Sequence, residues 1–394
     1  MDGSGNKGKG GMSEDVCLDL AAPHPDLELG VPRQPLRYAV TRPDSGIDDD
    51  TGLILYIGGY GSAYDDAYTR NLRSHLANTY NCVTASVDYF GAECHQENER
   101  IPAPDFFVNL KRHFGLEITA SSQTPIRDIA RAALDALCDK GVTRLPPDVH
   151  FISPGRQYDS FGLLPALDCL QVTHRLIRDY PVNRGRMFLL GSSYGGYIGL
   201  LINKIAPATF RLIIDNSGFS SPADTPNSIQ GVTGLNYRGL RVAVRSQLHF
   251  SLNPEAPNYF NPAFAKIREL RVPEHYSPSD TSIQSYHSAT DDFAPIAHKR
   301  ELFALLAQTR PAELMVVGDH DLDGRCFKTL EHGMQASMRG LFQRSYERWL
   351  PQAATASRST DFDHGVTTSF RCHDLTYTFA LGPADGIRMS LAQA

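Results

Sequence analysis

Several things are missing from these 394 residues. No apolar run approaches the roughly 18 residues of a membrane-spanning helix. Seven cysteines contain no Cys-x-x-Cys pair and are odd in number, which speaks against a disulfide framework and a structural zinc site; a reducing cytoplasm is the simplest setting. Positive charge is not in excess: the net charge is −6 and the pI about 6.2, so neither nucleic acid nor an anionic membrane surface is an expected partner. The start, Met1 to Gly11, lacks the apolar segment of a secretion signal, and residues 1–30 read as a disordered or loosely held leader. There is no internal repeat. Gly-Lys-Ser/Thr is absent, and Gly59-x-Gly61 has Tyr64 where a dinucleotide fingerprint needs glycine, so no cofactor is expected.

What is present is a 41% hydrophobic chain long enough for one α/β domain with insertions. Strand-length apolar runs at Leu36–Thr41, Gly52–Gly58, Cys82–Tyr89, Met187–Gly191, Phe210–Asn216, Ser282–His287 and Ala312–Val317 alternate with helix-compatible stretches. The helical spacing predicts helices over Tyr64–Tyr80, Ile126–Lys140, Asp159–Tyr180, Tyr197–Ile205, Pro295–Gln308 and Met334–Trp349. This alternation predicts an α/β fold with a mostly parallel, doubly covered sheet. Residues 31–218 form its first part, with an insertion near 91–124. Proline- and aromatic-rich residues 219–275 break the pattern and read as a cap. Residues 276–350 complete the core, and 351–394 form a C-terminal extension with a strand or hairpin around Thr367–Phe379.

The chemistry centres on Met187-Phe188-Leu189-Leu190-Gly191-Ser192-Ser193-Tyr194-Gly195-Gly196. A strand ends in Gly191-x-Ser193-x-Gly195 and a helix follows, which resembles the nucleophile elbow of α/β-hydrolases. There a serine sits on a sharp turn, and its neighbours must lack bulk where strand and helix cross. A serine needs a base, and the base needs an orienting acid. In Ser288-Ala289-Thr290-Asp291-Asp292-Phe293-Ala294-Pro295, Asp291 stands four residues before the proline that opens a helix, as in the family's acid loop; otherwise it would be a helix N-terminal carboxylate. Two histidines compete for the base. His332, followed by Gly333 ahead of the last helix, is preferred over His320, which three aspartates crowd. His364 and His373 read as surface residues. Asp319, Asp321, Asp323 and Gly324 match the start of an EF-hand loop, but Leu330 holds the place of the bidentate glutamate, so no metal is expected. The oxyanion hole is expected from the amide of Tyr194 and that of Tyr60, with Gly61 close behind.

A narrower likeness lies in Asp159-Ser160-Phe161-Gly162-Leu163-Leu164-Pro165, in the elbow, and in Asp323-Gly324-Arg325-Cys326-Phe327-Lys328 running on to His332-Gly333-Met334. These resemble a poorly characterised branch of bacterial α/β-hydrolases found near flagellin-glycosylation (motility accessory) genes. That resemblance gives His332 added weight and implies a link to glycan or acyl chemistry. The expected function is hydrolysis of a carboxylic ester, a small acyl ester or acylated glycan, by a Ser193-His332-Asp291 triad. An acyltransferase with the same triad and a catalytically dead binding protein remain alternatives. Tyr237, Phe250, Tyr259 and Phe260 are expected to line the substrate pocket under the cap. Arg238, Arg241 and Arg245 fall on one face of a possible helix, either as a solvated stripe or as an anion site.

Overall fold

The computed structural model describes residues 15–21, 25–95, 100–117, 123–153, 155, 157–224 and 229–394. From its start the chain forms β1 (Asp15–Leu20), β2 (Leu36–Thr41), β3 (Gly52–Ile57), α1 (Ala67–Tyr80) and β4 (Cys82–Asp88). There follow β5 (Ile101–Pro102), α2 (Phe106–Phe114), α3 (Ile126–Asp139), β6 (His150–Ser153), α4 (Leu163–Asp179), β7 (Met187–Ser192), α5 (Tyr194–Ile205) and β8 (Leu212–Asn216). Next come β9 (Val232–Tyr237), β10 (Leu240–Ser246), α6 (Pro262–Arg268), β11 (Ser282–Ser288), α7 (Ile296–Leu306) and β12 (Ala312–Val317). The chain closes with α8 (Met338–Trp349), α9 (Asp361–His364), β13 (Thr367–Cys372), β14 (Leu375–Gly382) and β15 (Gly386–Gln393).

Eight strands make the main sheet in the order β1-β2-β4-β3-β7-β8-β11-β12. From β4 to β12 the neighbours run parallel, while β2 is antiparallel to both β1 and β4. Parallel strands covered on both faces must be apolar on both faces, which explains their continuous hydrophobic runs. Leu53, Leu55, Met187, Leu189 and Ile213 enter one cluster with residues of α4, α5 and α7. Ile54, Tyr56, Phe188, Leu190, Leu212 and Ile214 enter the other, with residues of α1 and α8. This is the α/β-hydrolase fold, with its site where β3, β7, β11 and β12 end.

Three regions differ from the expectation. The loosely held leader falls partly on residues 1–14 and 22–24, outside the described residues. Its described part is tied down: β1 pairs with β2 along its length. Asp26 accepts a hydrogen bond from the Tyr158 hydroxyl (3.0 Å), and Glu28 pairs with the fully buried Arg268.

The cap is the second difference. Residues 219–275 do not form it alone. The chain between β4 and α4 and the chain between β8 and β11 share a second sheet, β5-β6-β10-β9. Helices α2 and α3 pack on it through Phe106, Leu110, Ala130, Leu134 and Leu137, against Phe151, Leu240, Val242 and Val244. The arginine stripe is therefore a strand, not a helix. Leu240, Val242 and Val244 are buried, while Arg241 and Arg245 are exposed, the alternation of period two. Arg238 and Gly239 join β9 to β10 with positive φ at both positions (49° and 86°), the geometry of a two-residue type I′ hairpin turn.

Third, the C-terminal extension is a full antiparallel sheet, β13-β14-β15, rather than one strand or hairpin. Phe370, Cys372, Tyr377, Phe379, Leu381 and Ile387 extend the main core.

Candidate active site

The elbow's geometry follows from its small residues. Ser193 has φ 53° and ψ −117°, a strained conformation for a residue with a side chain, and its N–H donates to Asn216 O at 2.7 Å. A Cβ on Gly195 would lie 2.1 Å from Ile57 O, so β3 and α5 approach this closely only with glycine there.

Ser193 Oγ lies 2.7 Å from His332 Nε2. His332 Nδ1 lies 2.9 Å from Asp291 Oδ2 and 3.1 Å from Oδ1. Asp291, its side chain fully buried, also accepts N–H bonds from Phe293 (3.0 Å) and Ala294 (2.8 Å). Burial pushes its carboxyl up, but the bonds from His332 and Ala294 and the neighbouring imidazoles outweigh this and hold it below the usual value. The imidazole of His332 is set between Phe219, stacked at 5.8 Å, and Phe293, edge-on at 5.0 Å. Ser288 Oγ donates to Leu330 O (2.6 Å), and Asn216 Nδ2 to Gly333 O (3.3 Å), fixing the histidine loop to β11 and β8.

The other histidine candidate lies elsewhere. The side chain of His320 is 85% exposed and faces only Asp321 (3.3 Å). In the aspartate turn around it, Asp323 is fully engaged: Oδ1 accepts the N–H groups of Arg325, Cys326 and Phe327, and Arg344 takes Oδ2. Those amides lower the Asp323 carboxyl to about 2. Among the described residues, no group of three or more His, Cys, Asp or Glu could hold a metal ion.

Tyr60, Gly61 and Tyr194 come together beside the serine. The Gly59–Ser62 turn is closed by Ser62 N–H to Gly59 O (3.1 Å), and Gly61 has φ 79°. Gly59 backs onto the elbow, since a Cβ there would lie 3.2 Å from Ser193 Cβ. Tyr194 opens α5, where an N–H has no carbonyl partner within the helix. The rings of Tyr60 and Tyr194 stack at 4.1 Å, and both hydroxyls donate to Asp159 at 2.9 Å. Burial first, then the charge of Asp159, pushes both phenols well above their usual range, so they stay neutral donors. The spacing predicts Asp159 at the start of a helix, but α4 begins at Leu163 and Asp159 lies in the loop before it. Its position in the sequence gives no sign that it would meet Tyr60 of the turn after β3 and Tyr194 at the start of α5.

A cavity of about 1240 Å³ opens over Ser193 and His332, walled by Gly59, Tyr60, Phe293 and the cap strands β9 and β10. None of the four expected pocket aromatics is on its wall. Phe250 and Phe260 are buried against each other and Phe264, the hydroxyl of Tyr237 is bonded to Asp135, and Tyr259 is half-buried in the 251–260 loop. Phe250, Phe260 and Tyr237 pack on hydrophobic cores, because burying such rings is worth more than presenting them to an open cleft. Arg241 and Arg245 of the expected stripe do reach the cavity, with Arg100 and Arg144. Arg238 turns away to Asp135 and Asp139.

The sequence pattern of the family described as "Protein of unknown function (DUF2920)" matches residues 131–388. No curated protein matches the chain. Solved structures similar to it include an acylaminoacyl peptidase from Pyrococcus horikoshii, 13% identical over 87% of this chain and 41% of that one, TM-score 0.48. An S-formylglutathione hydrolase from Agrobacterium tumefaciens is 11% identical over 89% and 98%, TM-score 0.46. Est1E from Butyrivibrio proteoclasticus, with ferulic acid bound, is 13% identical over 82% and 97%, TM-score 0.45. The chain thus spans about two fifths of the peptidase's length. These likenesses are distant, and the fold stands on the chain's own strand order and elbow.

Proposed function

The chain belongs to the DUF2920 family, and on that premise we propose that it is a serine hydrolase cleaving a carboxylic ester of a small acid or a sugar. The observation that carries this reading is the line from Ser193 Oγ through His332 to the buried Asp291, with heavy-atom separations of 2.7 and 2.9 Å. A serine hydroxyl hydrogen-bonded to an imidazole can lose its proton as it attacks a carbonyl. Asp291, held ionised, fixes the imidazole with Nδ1–H toward itself and Nε2 toward the serine, and stabilises the imidazolium that forms. The developing oxyanion would face the amides of Tyr194 and Tyr60. His332 would then protonate the leaving alcohol, and water activated by the same imidazole would release the acid from Ser193.

Labelling with a fluorophosphonate probe tests the reading without knowledge of the substrate. Wild type and Ser192→Ala should label, and Ser193→Ala should not. His332→Ala should slow labelling and ester hydrolysis by about 10³-fold or more, because triad members act as a unit. His320→Ala should cost little. A chain that does not label, or that labels at Ser192, sinks the proposal; labelling with no hydrolysis of any ester would favour acyl transfer to another acceptor.

A further inference from the structure

Positive charge outweighs negative on the cavity wall. Four arginines reach it, Arg100, Arg144, Arg241 and Arg245, against two carboxylates, Asp66 and Asp224. Both carboxylates are committed elsewhere. Asp66 caps α1 by accepting Thr69 N–H (2.7 Å); Asp224 accepts the N–H groups of Ser220 and Ser221 (both 3.1 Å) and faces His298 Nδ1 (2.7 Å). The side chains of Arg144, Arg241 and Arg245 are exposed and have no hydrogen-bond or carboxylate partner among the described residues.

The cap sheet concentrates this charge. Arg144 pairs with Arg241 across an isolated parallel bridge, with Arg241 N–H donating to Thr143 O and Leu145 N–H to Arg241 O, both 2.9 Å. Like charges directly opposite on a sheet destabilise it. Arg245 follows Arg241 by four residues, on the same face of β10. Where an arginine of this hairpin faces solvent, helix α3 supplies carboxylates to it: Arg238 is flanked by Asp135 and Asp139. Toward the cavity, neither Asp66 nor Asp224 pairs with Arg144, Arg241 or Arg245.

We propose that Arg144, Arg241 and Arg245 form an oxyanion-binding subsite that takes a carboxylate or phosphate on the substrate, apart from the ester carbonyl. The inference deepens the proposed function and rests on it for the position of the ester. Guanidinium forks match the planar, two-oxygen geometry of these anions. Bound to them, an anionic arm of the substrate lies under the cap while its ester group reaches Ser193.

The test uses the full chain and two readouts. Labelling by an uncharged fluorophosphonate reports Ser193. The ratio of kcat/KM for 5-acetoxy-2-nitrobenzoate to that for 4-nitrophenyl acetate, esters that differ by one carboxylate, reports the arginines. In Arg241→Gln/Arg245→Gln this ratio should fall about tenfold, the scale of losing charge-assisted hydrogen bonds. It should hold in Arg238→Gln, and in wild type it should fall as salt rises. A ratio unchanged in the double variant, or insensitive to salt, overturns the subsite even when labelling is normal. If the wild type fails to label, the serine reading has failed instead, and calorimetric titration with glutarate and with glycerol 3-phosphate decides the subsite. Binding weakened by the double substitution supports it, the tighter ligand telling carboxylate from phosphate; equal or absent binding in both proteins overturns it.

Discussion

At the scale of single residues, the candidate site has an unusual prop in Asp159. The peptide groups expected to meet an oxyanion belong to Tyr60 and Tyr194, and the side chains of both end on this one buried carboxylate. It also accepts Phe161 N–H at 2.8 Å. Asp159→Ala leaves these donors facing an empty pocket, at a cost of about 1–3 kcal/mol for each one left unsatisfied. As a positioning residue it should act on kcat rather than KM. We expect kcat for a neutral ester to fall at least about tenfold with KM nearly constant, and Asp159→Asn, which keeps an acceptor, to recover part of the loss. A purely structural role would lower the melting temperature and leave the kcat of the surviving folded enzyme unchanged.

At the scale of elements, the junction between the short turn after α6 and the C-terminal sheet carries a built-in acid sensitivity. His275 is buried edge-on against Phe370 of β13 (5.0 Å). Burial, reinforced by the nearby Lys204 and Lys266 and opposed by Glu274, pushes its imidazole from 6.5 down to about 3. The folded value lies below the unfolded one, so the unfolded chain takes the proton first. The stability is whole above pH 6.5 and is lost as pH falls toward 3, by up to about 1.4 kcal/mol per pH unit. Asp291, also held below its ordinary value, adds to this loss only near and below about pH 4. Thermal melts between about pH 6.5 and 4 should therefore fall steadily in wild type and less steeply in His275→Phe, where His174 and His287, also held below their usual value by burial, keep part of the slope. Parallel curves would mean that His275 is not buried neutral.

At the scale of the whole molecule, one buried ion pair joins parts of the chain that are far apart in sequence. Arg268 at the end of α6 pairs with Glu28, and its Nε donates to Ser160 O at 2.8 Å. Glu28 also accepts the Tyr377 hydroxyl of β14 at 2.6 Å. The N-terminal segment, the loop before α4, the return from the cap and the C-terminal sheet thus meet at two side chains exposed by 1% or less. Removing one partner leaves a buried charge unmatched. Glu28→Ala should cost about 3–5 kcal/mol in urea unfolding at neutral pH. A loss below about 1 kcal/mol would mean that this junction is wet or loosely joined.

Local rules of residue pattern account for the parts of this protein that the chain announces in advance. Apolar runs of strand length between helical stretches placed the parallel sheet, because each such strand is buried on both faces and must be hydrophobic throughout. Glycines around Ser193 marked the elbow, since only they allow β3, β7 and α5 to approach. The same reading proposed Asp291 in the loop after β11 and His332 in the loop between β12 and α8, and the His332 side chain stands within hydrogen-bond reach of both Asp291 and Ser193. Pairings between distant segments come instead from the packed fold. The cap sheet joins β6 to β10, some ninety residues apart, and no local pattern announces such a partner. The period-two alternation of Leu240, Val242 and Val244 was legible, but three arginines at helical spacing masked it. The pocket aromatics went astray for the same reason: an aromatic residue signals burial, and the chain alone does not say in which core. Asp159, Glu28 and His275 owe their roles to neighbours far away in the sequence, at positions where a lone charged or polar residue reads as surface.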